Sequence, residues 1–73
     1  MIHFEPREMF DKAIIKTDEN KNVNVYSYSK LIDVLVDSPG FSLIEAIDYI
    51  EFNMNNVAMK GWPVIEDDFS VSE

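Results

Sequence analysis

The residues able to do chemistry are few, and carboxylates dominate them. Asp18-x-Asn20-x-Asn22 has the opening spacing of a calcium loop. Its sixth position would need glycine for the sharp turn and is Val23, while its twelfth would need a bidentate glutamate and is Ser29. The segment therefore reads as a polar surface turn. Glu66-Asp67-Asp68 follows a short strand-like run and could contribute to a Mg²⁺ site for phosphoryl transfer. Such a site needs further ligands and a phosphate cradle. The only glycines are Gly40 and Gly61, and residues 31–73 carry one base, Lys60. The acidic run reads as solvated. A Ser–His–Asp device would depend on His3, the single histidine, close to a chain end where residues fray. No serine stands in a glycine elbow. With no cysteine, thiolate zinc sites, disulfides and cysteine nucleophiles drop out. Paired-carboxylate chemistry would need a closed pocket that so short a chain has little room for. The expectation is a protein that is not an enzyme, with no catalytic, cofactor-binding or metal-binding residues.

Binding offers more. Glu45, Asp48 and Glu51 recur at i, i+3 and i+6, which lines them along one side of a helix. With Glu66, Asp67, Asp68 and Trp62 they make up the candidate protein-binding residues. Trp62, Phe52 and Tyr49 are large residues outside the main apolar stripe, and an exposed aromatic is a typical interface anchor. For Trp62 the preferred alternative is to cap the core where the last strand packs on the third helix.

Charge sharpens this picture. The chain has 14 acids and 6 bases, a net charge of −8. Residues 1–30 balance five acids with five bases, and residues 31–73 hold nine acids against Lys60. The whole net charge thus belongs to the second part of the chain, which suggests one acidic surface. Phosphate neutralisation needs clustered Lys and Arg, so direct nucleic-acid binding and an anionic membrane surface are both disfavoured. No apolar run exceeds three residues, against about 20 for a membrane span. The start has neither a basic nor an apolar leader region. A cytoplasmic protein is expected.

Three helices and a small sheet would position these groups, an α+β fold that is mainly helical. Pro6 suits a first helical position, and Met9, Phe10, Ala13, Ile14 and Thr17 follow at helical spacing. A rival strand at 13–16 draws on β-branched Ile14-Ile15. The i,i+4 pair Glu8–Lys12 favours a helix over 6–16. Val23, Val25 and Tyr26 predict a strand at 23–26, and Ser27 caps a second helix over 28–37 that Pro39-Gly40 stops. Ser42-Leu43-Ile44-Glu45 is a capping box opening a third helix over 43–54, with Leu43, Ile47, Ile50 and Met54 as its inward stripe. A strand at 64–66, begun by Pro63, pairs with 23–26 as a two-stranded sheet. Residues 1–69 form one small acidic domain, and 70–73 a mobile tail.

The stretch Val-Tyr-Ser-Tyr-Ser-Lys-Leu-Ile-Asp-Val-Leu, followed by Gly-Phe-Ser-Leu-Ile-Glu-Ala-Ile-Asp-Tyr-Ile-Glu-Phe-Asn and then Gly-Trp-Pro, covers much of residues 25–65. It resembles a family of small uncharacterised bacterial and phage proteins. Their pattern is a strand ending in Tyr, a capped helix with Lys-Leu-Ile, then Gly-x-Ser/Thr-x-x-Glu-Ala-x-Glu-Tyr-x-x-Phe-Asn and a late Pro. Asp48 stands where glutamate is commoner. The resemblance implies a small helical fold with a short sheet and a phage origin, and it implies no catalytic residues.

Three function classes follow. The first is a non-enzymatic protein-binding module, a phage or mobile-element factor that binds and modulates a host protein in the host cytoplasm. The second is an acidic mimic of nucleic acid that occupies a DNA-binding groove. The third is a self-assembling subunit, in which Leu31, Ile32, Val34, Leu35 and Val36 give the second helix a surplus apolar face for a homodimer. Small cores need such staples.

Overall fold

A computed structural model describes residues 1–68; the tail expected at 70–73 lies outside the described residues. The helix expected over 6–16 forms only as far as Ala13, and its last residues are extended instead. A single turn, α1 (Arg7–Phe10), starts after Pro6 and tightens into a 3₁₀ turn at Asp11–Ala13. The chain then extends as β1 (Ile14–Asp18), antiparallel to β2 (Val23–Ser27). The local ion pair is Arg7 Nε with Asp11 Oδ2 at 3.2 Å, rather than Glu8 with Lys12. A longer helix would leave one side of β2 as a bare edge, whereas β1 pairs those backbone groups. A bulge between Ile14 and Lys16 absorbs one residue of the mismatch.

The hairpin turn is the calcium-like triplet. Asp18 Oδ1 accepts the amides of Asn20 and Lys21 at 3.1 and 3.2 Å, and Asn22 adopts φ 57°. Asparagine tolerates that left-handed backbone. The carboxylate that would lead a calcium loop is thus spent on its own turn.

β3 (Val64–Glu66) runs parallel to β2, with Val25 opposite Val64 and Tyr26 opposite Ile65. The expected pairing of 23–26 with 64–66 is present, but the sheet has three strands in the order β1-β2-β3. All five residues of the central strand are buried. Among them Asn24 is satisfied by Thr17 Oγ1 at 2.9 Å and by donating to the carbonyl of Ile2 at 3.1 Å.

α2 (Tyr28–Asp37) leaves β2 directly, and its capping residue Ser27 accepts the Lys30 amide at 3.2 Å. Leu31, Ile32 and Leu35 are buried within the chain, Val34 is half-buried, and Val36 is exposed. The surplus apolar face expected of this helix is therefore mostly consumed by the fold itself. Gly40, at φ 83°, turns the chain toward α3 (Leu43–Tyr49). The capping box is complete: Glu45 N–H donates to Ser42 Oγ at 3.1 Å, and Ser42 N–H donates to Glu45 Oε1 at 2.8 Å. α3 continues as a π-helical turn, Ile50–Met54, so the two together fill the expected range 43–54.

The inward stripe of this helix differs from the expected one. Ala46, Ile50 and Met54 are buried, Ile47 is half-buried, and Leu43 is 49 % exposed. Small Ala46 lets α3 lie close to α2, and this rotates Leu43 outward.

The start of the chain is also tied down, contrary to the expected fraying at His3. Phe4 packs on Phe10, Tyr26 and Trp62, and its amide donates to Tyr26 Oη at 2.9 Å. His3 Nδ1 lies 3.2 Å from Asp11 Oδ1. One cluster of Phe4, Phe10, Tyr26, Leu31, Leu35 and Ile50 thus joins both halves of the chain. Among the described residues no helix is long and apolar enough to cross a membrane.

Candidate functional site

The candidate residues divide among three places. Trp62 faces inward: its Nε1–H donates to the Met54 carbonyl at 2.6 Å, and its ring meets Phe4 with centroids 5.6 Å apart. It joins the lead-in of β3 to the end of the π turn, the capping role weighed against an interface anchor.

A second group surrounds the start of α2. Ser27 Oγ donates to Asp68 Oδ2 at 2.6 Å, and the Ser29 amide donates to Asp68 Oδ1 at 2.9 Å. The Ser27 hydroxyl and the Ser29 amide together hold the Asp68 carboxyl below its usual pKa of 3.8. Its negative charge also meets the positive end of the helix dipole. Beside it, Tyr28 Oη donates to Glu51 Oε2 at 2.8 Å. Burial, the bond to Glu51 and the nearby charge of Asp67 push the Tyr28 phenol up to about 12. Glu66 stands opposite Ser27 in the parallel ladder. Acids that look solvated in the sequence are here partly structural: Asp68 clasps the segment just after β3 to α2, and Glu51 links α2 to the π turn.

The third place is the outer side of α3. Glu45 and Asp48 are exposed there, and both line an open hollow of about 300 Å³ with Phe41, Tyr49, Phe52 and Asn53. Phe41 and Tyr49 are half-buried and lie ring against ring, with centroids 5.7 Å apart at 54°. Phe52 is 72 % exposed, as is Ile44, and these are the most exposed large apolar residues among those described. Their spacing with Asp48, i, i+4 and i+8, sets all three along the side opposite Ala46 and Ile50. Phe52 belongs to the π turn, a helix irregularity frequent at functional sites. Asp48 makes no hydrogen bond or ion pair among the described residues.

Sequence reasoning singled out Asp48 and Glu45 by their spacing, and named Phe52 only as a residue off the stripe. Ile44 was missed, although placing Ala46 and Ile50 inward would have turned it outward. A larger hollow of about 570 Å³ lies between α1 and α2, floored by Met9 and Val34 and edged by Glu8, Lys12, Asp33 and Asp37. It holds none of the candidate residues and no aromatic ring. Among the described residues no group of three or more His, Cys, Asp or Glu could hold a metal ion. Compared with known proteins, the chain matches no family model, no curated protein and no solved structure.

Proposed function

We propose that the chain is a non-enzymatic protein-binding module, a phage or mobile-element factor that docks on a host protein through the outer side of α3. The observation that carries this reading is the pair Ile44 and Phe52, each 72 % exposed, with acidic Asp48 midway between them. A single exposed apolar residue is ordinary. Two large ones on one helix ridge, far from the core, are the anchors of a recognition surface. The resemblance of residues 25–65 to small bacterial and phage proteins supports a bacterial protein as the partner. The test is capture from a bacterial lysate with the wild-type chain beside Phe52→Ser. A stoichiometric partner retained by the wild type and lost from the variant supports the reading; equal retention, or no partner, refutes it.

A second reading, an acidic mimic of nucleic acid, has one observation in its favour. Glu51 and Asp67 both adjoin Tyr28, so the run Glu45, Asp48, Glu51 continues toward the acids after β3. A mimic would bind a basic groove with affinity that collapses as salt rises. It would also depend on Asp48 more than on Phe52, the reverse of the order expected for docking through the apolar ridge.

A further inference from the structure

We infer that the hollow beside Phe52 seats a guanidinium group, the arginine side chain of a docked protein. This deepens the docking reading above and rests on it for the identity of the arginine's owner, but the seat has its own geometry and its own test.

Three features of the hollow select the occupant. Its lining is Phe41, Tyr49 and Phe52 with Glu45, Asp48 and Asn53, so it presents rings, carboxylates and an amide, with no cationic side chain. Aromatic faces attract a cation through their quadrupole, and a guanidinium stacks on them better than a compact ammonium does. The paired rings of Phe41 and Tyr49 line it together with exposed Phe52.

The carboxylates have capacity left. Asp48 has no partner among the described residues, so both its oxygens can receive the parallel N–H groups of a guanidinium. Glu45 uses Oε1 on the Ser42 amide, which fixes its side chain while leaving Oε2 without a protein donor. An anion would meet two negative charges here, and a purely apolar side chain would strip water from both without replacing it.

Size agrees as well. The hollow, about 300 Å³ and open on one side, has room for an arginine head with its stem reaching in from outside. The acidic hollows between α1 and α2 and at the hairpin turn already contain Lys12 and Lys16 among their acids and offer no ring to stack on.

The test uses the full chain, ¹⁵N-labelled, titrated with Nα-acetyl-arginine methylamide and separately with the citrulline analogue, its neutral near-isostere. The seat predicts saturable shifts confined to Phe41, Glu45, Asp48, Tyr49, Phe52 and Asn53 with arginine, and none with citrulline. Asp48→Asn should weaken the response several-fold and Phe52→Ser should remove it, with both variants checked for native circular dichroism. Shifts spread evenly over Glu8, Asp33 and Asp37 as well, or a response unchanged in Asp48→Asn, would overturn the seat. If Phe52→Ser loses the captured partner while arginine causes no local shift, the seat is wrong and docking stands. If arginine seats locally while Phe52→Ser keeps the partner, the seat is upheld and the docking reading falls.

Discussion

Replacing Ile50 with alanine separates the inner from the outer side of α3 more sharply than any other single change. Ile50 has no exposed surface and lies in the cluster that joins α2, α3 and the start of the chain. Cutting its side chain back to a methyl loses the buried transfer energy and leaves a cavity, together about 2–5 kcal/mol. A single core in a chain this short supplies about 3–5 kcal/mol in total. Even the low end, about 2 kcal/mol, lowers the melting temperature by roughly 8–16 °C at the usual 4–8 °C per kcal/mol for such domains. The high end unfolds the protein at room temperature. Phe52→Ser, by contrast, removes a side chain that is 72 % exposed, and its melting temperature should stay close to wild type. Ile47→Ala, half-buried, should fall between them. Thermal melts followed by circular dichroism decide the order. If Phe52→Ser melts as early as Ile50→Ala, the outer side of α3 is a structural surface, and the docking argument fails with it.

Asp68→Asn tests the clasp on α2. The carboxyl pKa is lowered in the folded state by the Ser27 hydroxyl and Ser29 amide, so its stabilisation is present above pH 3.8 and is lost as pH falls through the folded value. The urea midpoints of wild type and variant should differ at pH 7 and converge in acid; a gap independent of pH would refute the charge argument. Tyr28 runs in the opposite direction. Its raised pKa makes the neutral phenol stabilising below pH 10, with that contribution lost as pH rises toward about 12. Tyr28→Phe should therefore lose less stability than wild type over that alkaline window in parallel urea titrations. Ser42→Ala removes the acceptor of the Glu45 amide and should cost about 1 kcal/mol, read from the same melts.

The parts of the fold legible in the sequence are those set by local chemistry. Ser27 and Ser42 cap the helices they were expected to cap, because a hydroxyl just before an apolar helical run is placed to accept an unpaired first-turn amide. Pro39 stops α2 for a similar local reason, having no amide to continue the ladder, and Gly40 supplies the left-handed turn that follows. What local patterns could not decide was the competition at residues 13–18. Glu8–Lys12 and the spacing of Met9, Phe10 and Ala13 suit a helix, yet a strand at Ile14–Asp18 covers the open side of β2. That benefit is visible only when residues 23–27 are laid alongside. The outer side of α3 was half legible for a related reason. Spacing offered Leu43, Ile47, Ile50 and Met54 for the core; Ile50 and Met54 are there, but the close approach that Ala46 permits to α2 puts Ala46 inward and leaves Leu43 outside.

Counting acids therefore overstates how much of this protein's charge is available to a partner. Glu51 holds Tyr28, Asp68 holds the start of α2, and Glu45 gives one oxygen to its own cap. Each of these bonds uses charge to fasten together a fold with a small core and no disulfide. Asp48, like Glu8, Asp33 and Asp37, fastens nothing among the described residues, but it alone of these stands between Ile44 and Phe52. Two apolar groups left in water on the same ridge give up burial that so small a domain could use. What sets this ridge apart from the other unpaired acids is that Asp48 lies between two large side chains that stay mostly in water.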